Sequence, residues 1–173
     1  PVTPTFNNAV LEDFFSQAVT ATFTVDLLPA FYFFADSLFL PSDIQTGETV
    51  TTWNETVFAN GPMSGAAGDW ADWGPDALGA MPELQLFDDG ATGGDATAGD
   101  TVYTFQVSYP QFASRKGAMK FGTDGYDNES LFGANHILAI PDDAAEVTIP
   151  LIFGAMETSS GVQDALYDPY ISI

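Results

Sequence analysis

The feature that most constrains this fold is a stretch of strict alternation. Large apolar side chains occupy every second position, at Tyr103, Phe105, Val107 and Tyr109, with mostly polar residues between them. Successive side chains of a strand point to opposite faces of a sheet, so this pattern predicts a strand with one buried face. The preceding residues 88–100 are rich in aspartate and glycine, which is typical of a tight turn because glycine adopts positive φ angles freely.

Other stretches along the chain also favour strands. They lie at residues 22–27, 30–40, 50–58, 119–122, 136–140, 147–153 and 164–173. Pro150 cannot donate to a sheet ladder, so we expect its stretch to form an edge strand or a bulge. About seven to nine short strands separated by turns predict an all-β fold, a single β-sandwich.

Two segments depart from this pattern. Leu11, Phe14, Phe15 and Ala18 recur at i, i+3, i+4 and i+7, which predicts a short helix after a cap at Asn8. Residues 59–82 are rich in Gly, Pro, Ala and Asp and predict a long loop insertion at the surface. We therefore expect an N-terminal arm or helix over 1–19 and a sandwich domain over 20–173 with a loop excursion at 59–82.

The charge balance restricts the partners of this protein. The chain has 24 acidic and 3 basic residues, for a net charge of −21. Such a surface repels nucleic acid and anionic membranes, and no apolar run approaches the roughly 20 residues that span a bilayer. The carboxylates must be hydrated, screened by salt or bound to cations. An acidic proteome from a salty habitat and specific metal binding both explain the composition.

The ends and the cysteine content indicate the compartment. The chain has no cysteine, which excludes a disulfide framework and a thiolate metal site. It begins at Pro1 rather than Met and shows no signal-peptide pattern, so we expect a processed protein that is extracellular or at the cell surface. The sequons at Asn54 and Asn128 are compatible with glycosylation.

The acidic turn is a candidate calcium site. Calcium takes six to eight oxygen ligands, and this turn offers carboxylates together with backbone carbonyls between glycines. The alternative is that the same side chains cap their own turn amides as Asx-turns. A second acidic segment, residues 124–129, is a weaker candidate, and one histidine without cysteine argues against zinc or copper. The candidate ligands are Asp88, Asp89, Asp95 and Asp100.

No residue of the chain is assigned a catalytic role. His136 is the single histidine, and it shares an alternating stretch with Leu138 and Ile140. We therefore expect a packed strand residue rather than a general base. Paired carboxylates can hydrolyse glycosides, but in a chain this acidic any pair is uninformative. The sequence predicts a protein that is not an enzyme.

Three separated pieces of the sequence resemble one protein family. They are ATFTVDL at 21–27, LFDDG with the following GD and AGDTVYT at 86–104, and MKFG, NES and GANH within 119–136. This order is similar to the immunoglobulin-like, starch-binding type of carbohydrate-binding module in secreted bacterial proteins. The resemblance implies an immunoglobulin-like sandwich and a glycan-binding ancestry. The chain has His136 where that family usually has arginine.

Exposed aromatic side chains are the candidates for glycan binding. Aromatic rings that lie near polar groups can stack on a sugar face. Residues 70–76 combine two tryptophans with two aspartates in this way. The alternative is that the tryptophans fold the long excursion onto the sandwich or lie in a subunit contact. The candidates are Trp53, Trp70, Trp73 and Tyr126.

Apolar arms at both ends of the chain indicate assembly. An extended arm can add a strand to the sheet edge of a neighbour, and a head-to-tail contact that does not close makes a filament. We expect a homo-oligomer or homopolymer, namely a non-catalytic extracellular subunit that assembles through its arms with calcium or salt. The alternative is a stand-alone module that binds polysaccharide. The candidate assembly residues are Val2, Phe6, Leu11, Phe14, Phe15, Tyr170, Ile171 and Ile173.

Overall fold

The computed structural model describes residues 13–28, 31, 56–65, 69–127, 129 and 135–155. Most regular structure in these residues is β-strand, and the predicted all-β sandwich is confirmed. Short 3-10 turns lie at Leu78–Ala80, Pro82–Leu84 and Thr92–Gly94. The strands are β1 Val19–Asp26, β2 Val57–Asn60, β3 Gln85–Leu86, β4 Val102–Tyr109, β5 Lys116–Thr123, β6 His136–Ala139 and β7 Glu146–Ile152.

These strands form two sheets. One has the order β4-β1-β7, in which β1 pairs antiparallel with β4 and parallel with β7. The other has the order β3-β2-β5-β6 and is antiparallel throughout. Phe23 stacks on Phe105 within the first sheet, with ring centroids 5.0 Å apart. Phe105 then meets Phe121 of the second sheet edge-on at 6.4 Å, so the core lies between the two sheets.

The alternation predicted for β4 is confirmed, with one exception. The four aromatic and valine side chains are buried, and Gln106 and Ser108 are exposed. Thr104 lies on the outward face but is buried, because Phe87 exchanges two backbone hydrogen bonds with it, at 2.9 and 2.8 Å. Gly93 packs over the same residue: a Cβ there would lie 2.9 Å from the Thr104 carbonyl oxygen. The glycine-rich turn therefore folds back onto the strand that follows it.

Pro150 lies in an edge strand, as predicted. Among the described strands, β7 is the outer member of its sheet and pairs with β1, with Pro150 opposite Thr24. Of the other predicted strands, 22–27 lies in β1 except for its last residue, and 136–140 lies in β6 except for its last residue. The short stretch 119–122 is part of the longer β5. Only the end of 50–58 is described, in β2, whereas nearly all of 30–40 and all of 164–173 lie outside the described residues.

The predicted N-terminal helix is wrong over residues 14–18. Phe14 forms an antiparallel bridge with Ser114, and the Phe15 amide donates to the Ala113 carbonyl at 3.0 Å. Phe15 is buried in the core and stacks on Tyr109 at 5.1 Å. Tertiary pairing with the β4–β5 turn therefore outweighs the local helical period. The earlier part of the predicted helix, residues 8–12, lies outside the described residues.

The described residues of the predicted surface excursion, 59–65 and 69–82, include a layer that covers the second sheet. The first two residues of the excursion, 59 and 60, belong to β2. Phe58, Leu78 and Leu84 form a second buried cluster on the outer face of that sheet. Asn60 fastens the layer, because its side chain donates to the Ala71 carbonyl at 3.0 Å and accepts from the Ala71 amide at 2.9 Å.

The sandwich has two distinct ends, set by the antiparallel β1–β4 pair. Val19 faces Tyr109 at the tip end, where residues 110–115 join β4 to β5; together with Lys116, the first residue of β5, they form the turn tip. Asp26 faces Val102 at the loop end, where residues 88–101 form the acidic loop. Asp13, where the described part of the chain begins, lies at the tip end, because the Arg115 amide donates to its carbonyl at 3.0 Å.

The last described residues, 153–155, lie at the opposite end of the sandwich. β7 runs parallel to β1 and finishes beside Asp26, and the Phe153 amide donates to the Asp26 carbonyl at 3.0 Å. The described part of the chain therefore begins and finishes at opposite ends of the domain.

Candidate functional site

Asp88 closes the acidic loop. One of its carboxylate oxygens accepts from the Gly99 amide at 2.6 Å and the Asp100 amide at 3.2 Å. The other accepts from the Thr101 amide at 3.0 Å. A single side chain thus holds together the start and the end of the loop, more than ten residues apart, as hydrogen bonds to a charged acceptor do effectively.

Asp95 and Asp100 turn their carboxylates toward the same point. Asp95 is buried and accepts from the amides of Gly90 and Thr97, and Asp100 accepts from the Val102 amide at 3.0 Å. One ligand oxygen from each of Asp88, Asp95 and Asp100 lies within 4.8 Å of the others. This triad can hold a metal ion.

The geometry of the triad has an electrostatic cost. At about 5 Å, two unit charges repel by about 1–3 kcal/mol between the dielectric constants of water and of a protein surface. Three like charges on one loop experience this repulsion pairwise, and backbone amides offset part of it. A divalent cation would offset the remainder directly.

Asp89 lies outside the triad. It accepts from the amides of Ala91 at 2.9 Å and Thr92 at 2.7 Å, and the Thr92 hydroxyl donates to its other oxygen at 2.7 Å. These hydrogen bonds lower the pKa of the exposed Asp89 carboxyl. The loop thus contains both arrangements that the sequence left open, since its aspartates cap turn amides and three of them also converge.

Two acids of the second acidic segment, Asp127 and Glu129, are buried instead. Lys120 and Asp127 form an ion pair whose side chains are only 2% and 7% exposed. Burial raises the pKa of Asp127, although the neighbouring Lys120 opposes that shift. Asp127 therefore lies against a protein cation rather than facing solvent with the acidic loop.

Glu129 holds three elements together. Its carboxylate accepts from the Phe121 amide at 2.6 Å and the Gly154 amide at 3.0 Å, and lies 2.7 Å from His136 Nε2. His136 is buried on the core face of β6, and its ring packs against Phe121 at 5.2 Å. The packed strand histidine predicted from the sequence is therefore confirmed.

Sequence reasoning missed both buried pairs. The available signal was the position of Lys120 between Met119 and Phe121, which both face the core. This alternation places Lys120 on the opposite face of β5, toward the second buried cluster on the outer face of the sheet. A lysine inside a strand with aspartate and glutamate shortly downstream was the clue.

Of the aromatic candidates for glycan binding, Trp73 and Tyr126 both lie beside Gly122, whereas Trp70 lies beside Gly61. Trp70 is 38% exposed and lies over Gly61, where a Cβ would come within about 3.0 Å of its ring. Trp73 packs against the second buried cluster. Trp53 lies outside the described residues. Tyr126 lines an open pocket of about 340 Å³ together with Thr56, Phe58, Pro75, Gly79 and Asp124.

Most of the candidate assembly residues lie outside the described part of the chain. Phe14 is half-buried and Phe15 fully buried in its own subunit. The remaining candidates, Val2, Phe6, Leu11, Tyr170, Ile171 and Ile173, lie in the undescribed arm and tail, and the sequon residues Asn54 and Asn128 are likewise outside the described residues.

Comparisons with known proteins do not identify a family. No protein-family model matches the chain, and no curated protein matches it at a significant level. The resemblance to carbohydrate-binding modules therefore rests on the three sequence motifs alone, and the immunoglobulin-like connection stays a prediction. Within the described residues, no helix has both the length and the apolar character needed to cross a membrane.

Proposed function

We propose that this protein is a non-catalytic structural subunit that acts outside the cell and assembles into a filament or layer. The observation that carries the proposal is that the described part of the chain begins and finishes at opposite ends of the sandwich. An arm that binds the neighbour at one end leaves the other end available for the next copy. Such a contact is heterologous and propagates without closing.

Calcium is the cation we propose for the acidic triad. Carboxylate oxygens are hard ligands that suit calcium, and the loop carbonyls and water would complete its coordination. The net charge of −21 makes repulsion between copies the main obstacle to assembly. A divalent ion at the loop end would order the loop and reduce that repulsion at the same place.

The burial of several ionisable side chains supports the proposal that the protein is not catalytic. The single histidine is buried and hydrogen-bonded to Glu129, and the pair Lys120 and Asp127 is also buried. None of these groups presents a reactive atom to a substrate at the surface. The aspartates of the loop act as hydrogen-bond acceptors for backbone amides.

Truncation tests the assembly proposal. We expect the full chain to form large species in calcium, and a chain lacking residues 1–12 to remain monomeric, because the arm that pairs with a neighbour is gone. Sedimentation velocity measures this, and a variant lacking residues 156–173 is the matched truncation. Assembly of both shortened chains at the full-length rate would show that the arm and the tail do not make the contacts.

A stand-alone glycan-binding module is the second candidate, favoured by the pocket beside Tyr126. The pocket combines an aromatic ring and Pro75 with the polar side chains of Thr56 and Asp124. Rings beside polar groups suit a neutral sugar, and the negative charge of the chain disfavours an acidic one. We expect Tyr126→Ala to abolish retention on a neutral polysaccharide while Trp70→Ala, at a separate site, does not. If both variants are retained as well as the wild type, the pocket beside Tyr126 is not the glycan-binding site.

A further inference from the structure

The turn tip carries the most exposed aromatic side chain among the large hydrophobic residues described. Phe112 is 69% exposed, more than Trp70, Leu28 or Ile137. Its backbone has a φ of +70°, a region that residues other than glycine rarely adopt. The Phe112 amide donates to the Phe15 carbonyl at 2.9 Å, so the conformation is held by the core-anchored segment below it. A strained, exposed aromatic on a fixed turn indicates a binding role.

The same tip carries both basic residues that are not deeply buried. The chain has only three, Arg115, Lys116 and Lys120, and Lys120 is enclosed with Asp127. Lys116 pairs with Asp13 at 2.5 Å, but both side chains are substantially exposed. Exposed ion pairs of this kind contribute little and exchange partners readily. Arg115 donates to the Ile140 carbonyl at 2.9 Å and lies near Asp142.

The acidic loop lies at the other end of the same strand. It ends one residue before β4 begins, whereas Phe112 follows three residues after β4 ends. An eight-residue strand spans about 25 Å at roughly 3.3 Å per residue. The sandwich therefore has, at one end, a tip whose exposed aromatic side chain lies near two cations, each balanced by an aspartate, and at the other end a loop with four aspartates.

We propose that the turn tip of one copy docks on the acidic loop of a second copy. Phe112 would supply the apolar anchor, and Arg115 and Lys116 would face the aspartates of the neighbouring loop. Charge favours this partner surface, because two of the three basic side chains of the chain lie here and balance the nearby acids, so the acidic loop of another copy meets less repulsion here than elsewhere on a chain of net charge −21. The inference rests on the assembly proposed above and specifies one of its contacts.

The first test removes the aromatic ring without disturbing the turn. Asparagine tolerates positive φ better than phenylalanine, so Phe112→Asn should fold at least as stably as the wild type. We expect it to weaken self-association by about tenfold or more, as loss of a central interface aromatic does. Ile137→Ser, which removes another exposed apolar side chain, is the control and should leave association unchanged. A purely structural role for Phe112 would change stability and leave association intact.

The second test combines two variants, one altered at the turn tip and the other at the acidic loop. Thr97→Arg places a cation on the exposed part of the acidic loop and retains the backbone bond from Thr97 to Asp95. At the lowest concentrations at which the wild type assembles, we expect Phe112→Asn and Thr97→Arg each to remain monomeric alone. Mixed together they should form dimers and nothing larger, because each supplies the end that the other lacks. Sedimentation velocity and thermal unfolding would report the species formed and the integrity of each fold.

The possible results of these tests distinguish the proposed contact between tip and loop from the proposal that the protein assembles at all. If Phe112→Asn assembles to the same extent as the wild type, the tip contact is overturned and the proposal of assembly through the arms remains. Folded variants that stay monomeric when mixed would also overturn the pairing of tip with loop. A wild-type chain that stays monomeric at every concentration would remove both proposals.

Discussion

The acidic loop allows a sharp test by two matched substitutions, Asp100→Asn and Asp89→Asn. Asp100 belongs to the triad and Asp89 does not, yet each accepts backbone hydrogen bonds within the same loop. Asparagine retains a carbonyl oxygen for these turn bonds and removes the negative charge. The pair therefore separates metal binding from turn capping.

The expected magnitude follows from linkage. A ligand that binds only the folded state stabilises it by about 2.7 kcal/mol at 100 times its dissociation constant. For a domain of this size, each kcal/mol shifts the Tm by about 2–4 °C. We expect calcium to raise the Tm of the wild type and of Asp89→Asn by about 5–10 °C, and to have little effect on Asp100→Asn.

The assay is thermal unfolding of the three proteins in calcium and in a chelator, at constant ionic strength. Magnesium at the same concentration controls for general screening of the 24 acidic side chains. An equal calcium response in both variants would refute the assignment of the triad. A wild type that responds identically to calcium and magnesium would show that the loop is screened rather than specifically occupied.

Three further predictions concern the scaffold. Asn60→Ala should reduce the free energy of unfolding by about 2–4 kcal/mol in chemical denaturation, because it leaves buried backbone groups without partners. Phe15→Ala should cost about 3–5 kcal/mol in the same measurement, and a much smaller loss would contradict its place in the core. Burial raises the Asp127 pKa, so the folded chain retains that proton to higher pH and stability falls as pH rises through the folded-state pKa. Hydrogen bonds lower the Asp142 pKa, so its contribution is present above the unfolded pKa and is lost as pH falls through the folded one. Asp127→Asn and Asp142→Asn should therefore change the pH dependence of stability in opposite directions, and parallel changes would contradict both assignments.

The fold was predictable where the side-chain period was clear. The alternation around Phe105 located β4 and its buried face, and Pro150 indicated an edge strand. The helix predicted over 8–18 failed in its described part because apolar spacing cannot reveal that Phe15 pairs with a distant turn. Periodicity reports which face is apolar, whereas pairing partners depend on tertiary structure.

The candidate metal site was predictable in outline only. The sequence shows four aspartates among glycines, but it does not show which of them converge. Gly90, Gly93 and Gly94 all adopt positive φ, and the resulting folded loop brings Asp95 to Asp88 while Asp89 turns away to cap Thr92. That selection is a property of the loop conformation, and composition does not contain it.

The most direct test of the assembly account is the mass distribution of the full chain as its concentration is raised in calcium. The two unlike ends of the sandwich predict a ladder of species that grows by one 18.4 kDa subunit at a time and lengthens with concentration. Sedimentation velocity resolves such a ladder. A single monomeric species at all concentrations, or a closed dimer that grows no further, would contradict the account.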